Sequence, residues 1–291
     1  MWKAMRLVGL ATLTIAGTLA LSGGPAMATP SGPAPMAYTC TGGDFASGNL
    51  TSIPSGTYAS ITVTGACDVP ADAVISVVGN VNVAAGAVLD AQSAPSTITV
   101  GHDVTAAAGS LLGLGCQPDY ANKTGHECGA QTDPDDQGSA ADTDYPTGPE
   151  AGNPYAGMSS TITVHGDVTA SGADTVLLNG ITVCGNVKLT GGGGAIPWSI
   201  KNNTIGGNLK VSGVTADWLG VLFNSIGRNA TLTNITATDP GDPGRLVFVV
   251  RNTIGRNLTC TGLAPGVSGG FFPGEVNVVG RHAIGQCASL V

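Results

Sequence analysis

Charge and aromatic surface are what this chain does without. Only 10% of its residues are Asp, Glu, Lys or Arg, and 4% are Phe, Trp or Tyr. A helical enzyme draws on long Ala/Leu/Glu/Lys runs with a 3.6-residue period, and such runs are missing. Eleven basic against nineteen acidic residues leave a formal charge of −8. That balance excludes the broadly basic surface a nucleic-acid-binding protein needs. After the N-terminus no stretch reaches 18 apolar residues. Lys3 and Arg6 precede the apolar stretch Leu7 to Leu21, which is short for a membrane span, and Ala26-Met27-Ala28 fits a signal-peptidase site. This predicts an export signal over 1–28 and a secreted or cell-surface product with no membrane span after cleavage. The end, Ala288-Ser-Leu-Val291, carries no anchoring signal, so free release is expected.

Glycine is abundant, 45 of 291 residues, and Thr, Val and Asn are frequent beside it. That mixture suits short strands joined by tight turns, where Gly and Asn supply positive φ. Residues 29–37 read as a flexible leader. From Tyr38 the apolar residues alternate in short runs: Ile61-Thr-Val, Ile75-Ser-Val, Val81-Asn-Val, Ile98-Thr-Val, Val104-Thr-Ala. Period-two alternation broken by Gly, Asn or Asp predicts short half-buried strands. Residues 116–158 interrupt the pattern with an acidic, Pro-rich surface loop that includes Asp133, Asp135, Asp136, Asp142 and Asp144. Seven cysteines in an exported chain imply disulfides with one thiol left over. Cys40 with Cys67 would staple the first turns, Cys116 with Cys128 would close a short loop, and Cys260 with Cys287 would tie the last rungs. Cys184 remains.

A repeat organises the second half. Asn203-Thr-Ile-Gly-Gly-Asn208-Leu, Asn224-Ser-Ile-Gly-Arg-Asn229-Ala and Asn252-Thr-Ile-Gly-Arg-Asn257-Leu are followed by a decayed copy read at His282-Ala-Ile284-Gly. Their isoleucines recur roughly every 20–30 residues, the range of stacked repeats. Looser copies run upstream at Ile98, Ile162 and Ile181, and blurred ones at Ile61 and Ile75. In Ile162-Thr-Val-His-Gly-Asp-Val-Thr-Ala, Ile162, Val164, Val168 and Ala170 face one way and the threonines the other. A copy this small cannot bury its own apolar face, so neighbouring copies must bury it. The prediction is an all-β chain, a single-stranded right-handed parallel β-helix over 38–291, with the loop inserted at 116–158. Ile205, Ile226 and Ile254 form one core column. Asn80, Asp103, Asp167, Asn186, Asn208, Asn229 and Asn257 form a turn column able to adopt left-handed backbone and bond between rungs. Asn203, Asn224 and Asn252 form another.

Cys40-Thr-Gly, Ser55-Gly-Thr-Tyr, Ile61-Thr-Val-Thr-Gly-Ala-Cys67, Leu112-Gly-Leu-Gly-Cys116, the Asn-Thr-Ile-Gly rungs and the closing Gly285-Gln-Cys-Ala288 resemble a group of secreted actinobacterial right-handed parallel β-helix repeat proteins. The resemblance covers nearly the whole mature chain. It implies the β-helix and an extracellular location. It carries over no catalytic residue, because the group has no established activity.

Five residues gather the chemistry. His165 follows inward Val164, and Cys184 follows Val183 one rung later, so the two side chains are expected to meet. With His102, Asp103 and Asp167 they offer nitrogen, oxygen and sulfur donors of the kind a zinc site or Cys–His pair requires. Solvated turn residues account for the same positions, and this plainer reading is preferred. No cofactor is expected. Gly266-Val-Ser268-Gly-Gly270 matches a nucleophile-elbow pattern, but a glycine-rich chain produces it by chance. The acidic loop lacks calcium-loop spacing. Trp198, Trp218, Phe223, Phe248, Phe271 and Phe272 line either a sugar groove or the core. Thr62, Ser76, Thr99, Thr163 and Thr182 are expected in one outward column. Thr105, Thr169, Thr231 and Thr259 lie near another, broken by Asn82, Lys188 and Lys210. The expected role is an extracellular structural or surface-binding protein that meets a polysaccharide or cell-envelope polymer. A carbohydrate-active enzyme on the same scaffold is the alternative, and ice binding through the threonine columns a minor one.

Overall fold

Strands of two to eight residues, many of them flanked by Gly, Asn or Asp, stack on themselves throughout the computed structural model. The structure describes residues 34–118, 126–129, 153–238, 247–269 and 276–291. The unit Pro35–Val291 forms a right-handed parallel β-helix. One turn is representative: Thr161–Val164, then Val168–Ser171, then Thr175–Asn179. The first two strands belong to a 19-stranded sheet and the third to a 9-stranded one. Each turn thus has three faces, and every face pairs in parallel with the same face of the next turn. Parallel pairing at about 4.8 Å per rung sets the axial repeat. The only helical element among the described residues is a 3-10 turn at Gln286–Ser289.

The core runs along the axis. Val100, Val164, Val183, Ile205, Ile226 and Ile254 stack on the first face, and all are buried. Val104, Val168, Val187, Leu209, Ala230 and Leu258 do the same on the second. The expected isoleucine column therefore holds at Ile205, Ile226 and Ile254. It fails at Ile284, which pairs with Thr259 on the outward side of the second face and is half exposed. The true fourth copy is Val278-Val279-Gly280-Arg281-His282, with Val279 below Ile254. Gly280 confirms it. A Cβ there would sit 2.4 Å from the carbonyl oxygen of Gly255, just as one at Gly255 would sit 2.4 Å from that of Gly227. The Ile284-Gly285 dipeptide imitates the signature five residues too late.

The two asparagine columns are real and differ in kind. Asp103, Asp167, Asn186, Asn208, Asn229 and Asn257 each donate a backbone N–H to the side-chain oxygen one rung earlier, starting from Asn80. None of these residues has positive φ. The left-handed conformation falls instead on Gly180, Asn202, Phe223 and Arg251, each just before the corner into the first face. At that corner sits the second column, Asn203, Asn224, Asn252 and also Asn277, fully buried. Its amides bond rung to rung at 2.9–3.0 Å. They also donate at 2.8–2.9 Å to the carbonyls of Leu178, Ile200, Val221 and Val249.

Disulfides join Cys40 to Cys67, Cys116 to Cys128 and Cys260 to Cys287, as their positions predict. Cys184 is free and exposed. No described helix is long and apolar enough to cross a membrane. Residues 1–28, 29–33 and the acidic positions Asp133 to Asp144 lie outside the described residues.

Candidate functional site

His165 and Cys184 meet as neighbours. The Cys184 thiol lies 3.8 Å from His165 Nδ1, both side chains exposed. They occupy the column that Gly206, Gly227, Gly255 and Gly280 fill on later rungs. The remaining candidate donors are not brought to them. Asp103 accepts the N–H of Asp167 through Oδ1, and Asp167 accepts the N–H and amide of Asn186. His102 shares its column with Gly166 and Gly185, one position away from His165. Among the described residues no three His, Cys, Asp or Glu side chains gather closely enough to hold a metal.

The outward columns are more extensive than the sequence predicts. Thr62 pairs with Asn82 on the second face and leaves the line to which it was assigned. Thr57 takes its place, and the column continues through Ser76, Thr99, Thr163, Thr182, Thr204, Ser225 and Thr253 without a break. On the second face Thr62, Asn82, Thr105, Thr169, Lys188, Lys210, Thr231 and Thr259 form one column. Ser171, Thr190, Ser212, Thr233 and Thr261 form a parallel one two residues on.

At the corner between these faces the positions held by Gly185 and Gly207 pass to Arg228, Arg256 and Arg281. Each arginine donates its N–H to the carbonyl of the rung before: Gly207, Arg228 and Arg256 in turn. All three side chains are exposed. The sequence reading missed this stack because it placed the last copy at Ile284, which hides the equivalence of Arg281 and Arg256.

The third face is largely buried along its middle strands. Trp198 is core, fully buried, with Nε1 donating to the Asp174 carbonyl at 2.9 Å. Trp218 and Phe248 meet edge to face at 6.0 Å, and Arg251 lies over Phe223 at 5.8 Å. Phe271, Phe272 and Gly270 fall outside the described residues. Val267–Ser268 is a two-residue strand of the 9-stranded sheet, paired with Val247 and Phe248. The loop base is anchored by the Gln117–His126 bridge and by Asn153, whose amide donates to Cys128 at 2.8 Å. Burial first, and then the charge of Lys201, push His126 down to about 4. A void of about 20 Å³ inside the early turns is lined by Ile, Val, Leu and Ala side chains, room for no ligand.

No family model, no characterised protein and no solved structure matches this chain.

Proposed function

We propose that this is an extracellular binding or structural protein whose solenoid presents flat, repeating outer faces to a linear polymer, either a polysaccharide or a cell-envelope component. One observation carries the reading: the unbroken column of hydroxyls from Thr57 to Thr253, one per rung. Hydroxyls at a fixed spacing of about 4.8 Å offer a polymer the same donor and acceptor at every step. Pre-formed strands lose little entropy when they engage it. Three disulfides and a low charge density fit an exported protein, as does the resemblance to secreted actinobacterial β-helix proteins. The test is a glycan and cell-wall-polymer array on the purified chain, with product release assayed in the same wells. Binding without product supports the reading, and binding to none of the polymers overturns it.

A carbohydrate-active enzyme keeps one specific observation in its favour. Asp68 and Asp90 face each other on adjacent rungs of the third face, and Asp68 Oδ1 is buried without a partner. Adjacent strands place two carboxyls near the ~5 Å separation of retaining glycosidases. Asp90, however, is committed to its own turn through Gln92 and Ser93. Product release abolished by Asp68→Asn would favour this alternative.

A further inference from the structure

The cations of this acidic chain are not scattered. Lys188, Lys210, Arg228, Arg256 and Arg281 fall on five successive turns, one per turn. The lysines pair on the second face, and the arginines stack at the corner beside it. All five side chains are exposed, and among the described residues none makes a side-chain hydrogen bond or ion pair. The segments that form this strip are 182–190, 204–212, 225–233, 253–261 and 278–284, and they contain no Asp or Glu. On the earlier turns the same corner carries Asp103 and Asp167. The sign of the strip therefore changes along the axis, from acidic to purely basic, in a protein of net charge −8.

Like charges on directly opposed positions of neighbouring strands repel. Nothing within the described fold relieves that repulsion at Arg228, Arg256 and Arg281. A partner carrying negative charge at a matching period would relieve all of it at once. Resting on the polymer-binding reading above, we infer that the last five turns bind an anionic polysaccharide, a chain of uronate-type sugars lying along the solenoid axis.

Three features select that partner among polyanions. The rung spacing of about 4.8 Å is close to the advance per sugar along an extended pyranose chain, so cations and carboxylates keep step along the axis. Arginine grips a carboxylate through two parallel N–H donors, and lysine supplies a point charge. Thr204, Ser225 and Thr253 run along one side of the arginines and Ser212, Thr233 and Thr261 along the other. Both rows face the flanks where sugar hydroxyls would lie. A nucleic acid fits less well. Its duplex phosphates step at about 3.4 Å per strand, and the strip has no aromatic side chain on which a base could stack.

The experiment measures binding of the intact, oxidised chain to polygalacturonate, to its fully methyl-esterified form and to duplex DNA, at low and physiological salt. Polygalacturonate should bind, with affinity falling as salt rises, and esterification should weaken it at least about tenfold. Arg228→Gln/Arg256→Gln/Arg281→Gln should lose about tenfold or more with a melting midpoint that does not fall, since the mutual repulsion is removed with the charges. Lys188→Gln/Lys210→Gln should lose less, and Lys201→Gln, on the third face, should stay within about twofold. Equal binding of the esterified polymer, or of the triple variant, would overturn the anionic partner and leave polymer binding standing. Tighter binding of DNA would replace the polysaccharide. Failure to bind any polymer here or on the array would remove both readings.

Discussion

Asparagine serves two ends at the two corners of each turn, and substitution should separate them. Asn224 is buried. Its amide donates to Ile200 and Asn252, and its oxygen accepts from the backbone and side chain of Asn203. Asn224→Ala leaves several buried groups unpaired and should cost about 2–4 kcal/mol. Asn229 makes a similar ladder at the half-buried corner, where water can substitute, so Asn229→Ala should cost only about 1 kcal/mol. Thermal or urea melts would show the order, and equal costs would contradict it. That second ladder also ends badly. Asn257 Oδ1 is buried with no partner, because His282 stands where the next Asn would. His282→Asn should supply the missing donors and raise stability by about 1 kcal/mol; an unchanged or lower melting midpoint would mean that 282 is not on this corner. Ile226→Asp places an unpaired charge in a fully buried column and should prevent folding. His126 titrates at about 4 in the fold against an ordinary 6.5. The unfolded chain therefore binds a proton between those values while the folded chain does not. This contribution to stability is complete above about pH 6.5 and is lost as pH falls toward 4. His126→Gln should flatten the pH dependence of stability across that window.

At the scale of the strand and the rung, much was legible in the sequence. Period-two alternation gave the strands around Ile98 and Ile162, because one face of each is buried and the other is not. The Asn-x-Ile-Gly phrase gave the register of the three strong copies, because each spells a buried Asn, a core Ile and a close-packed Gly at the same spacing. Three things were hidden. Ile61 and Ile75 look alike but sit on different faces, since alternation alone does not say where a chain turns a corner. Thr62 follows Ile61 onto the second face for the same reason. The last copy keeps Asn277 and Gly280 at the usual spacing but has Val279 at the core position and His282 in place of the ladder Asn, so Ile284-Gly285 spells the Ile-Gly pair more fully than the true rung does. At the corner before the first face the left-handed residues include Phe223 and Arg251 beside Asn202, and Phe and Arg carry no turn signal of their own. The disulfides followed from position. The pairs Cys40–Cys67 and Cys260–Cys287, each separated by 27 residues, tie one turn to the next near either end. By loop-closure entropy each contributes about 3–4 kcal/mol. Reduction should therefore lower the melting midpoint sharply, and a Cys184→Ser variant should leave it unchanged.

Over the whole unit, repetition lets weak groups act together. One exposed threonine or arginine binds almost nothing, whereas a column of them at a fixed step can hold a partner of matching step. The site was less legible than the fold because it belongs to no local motif. It exists only when rungs from Lys188 to Arg281 are stacked in the correct register. That register, and the partner inferred from it, meet in a single measurement: a crystal structure of the oxidised chain grown with an oligogalacturonate. The account predicts Val279 beneath Ile254, Arg281 beneath Arg256, and successive carboxylates of the oligomer at Arg228, Arg256 and Arg281. Ile284 in the core column with Arg281 out of line, or an oligomer bound away from this strip, would contradict it.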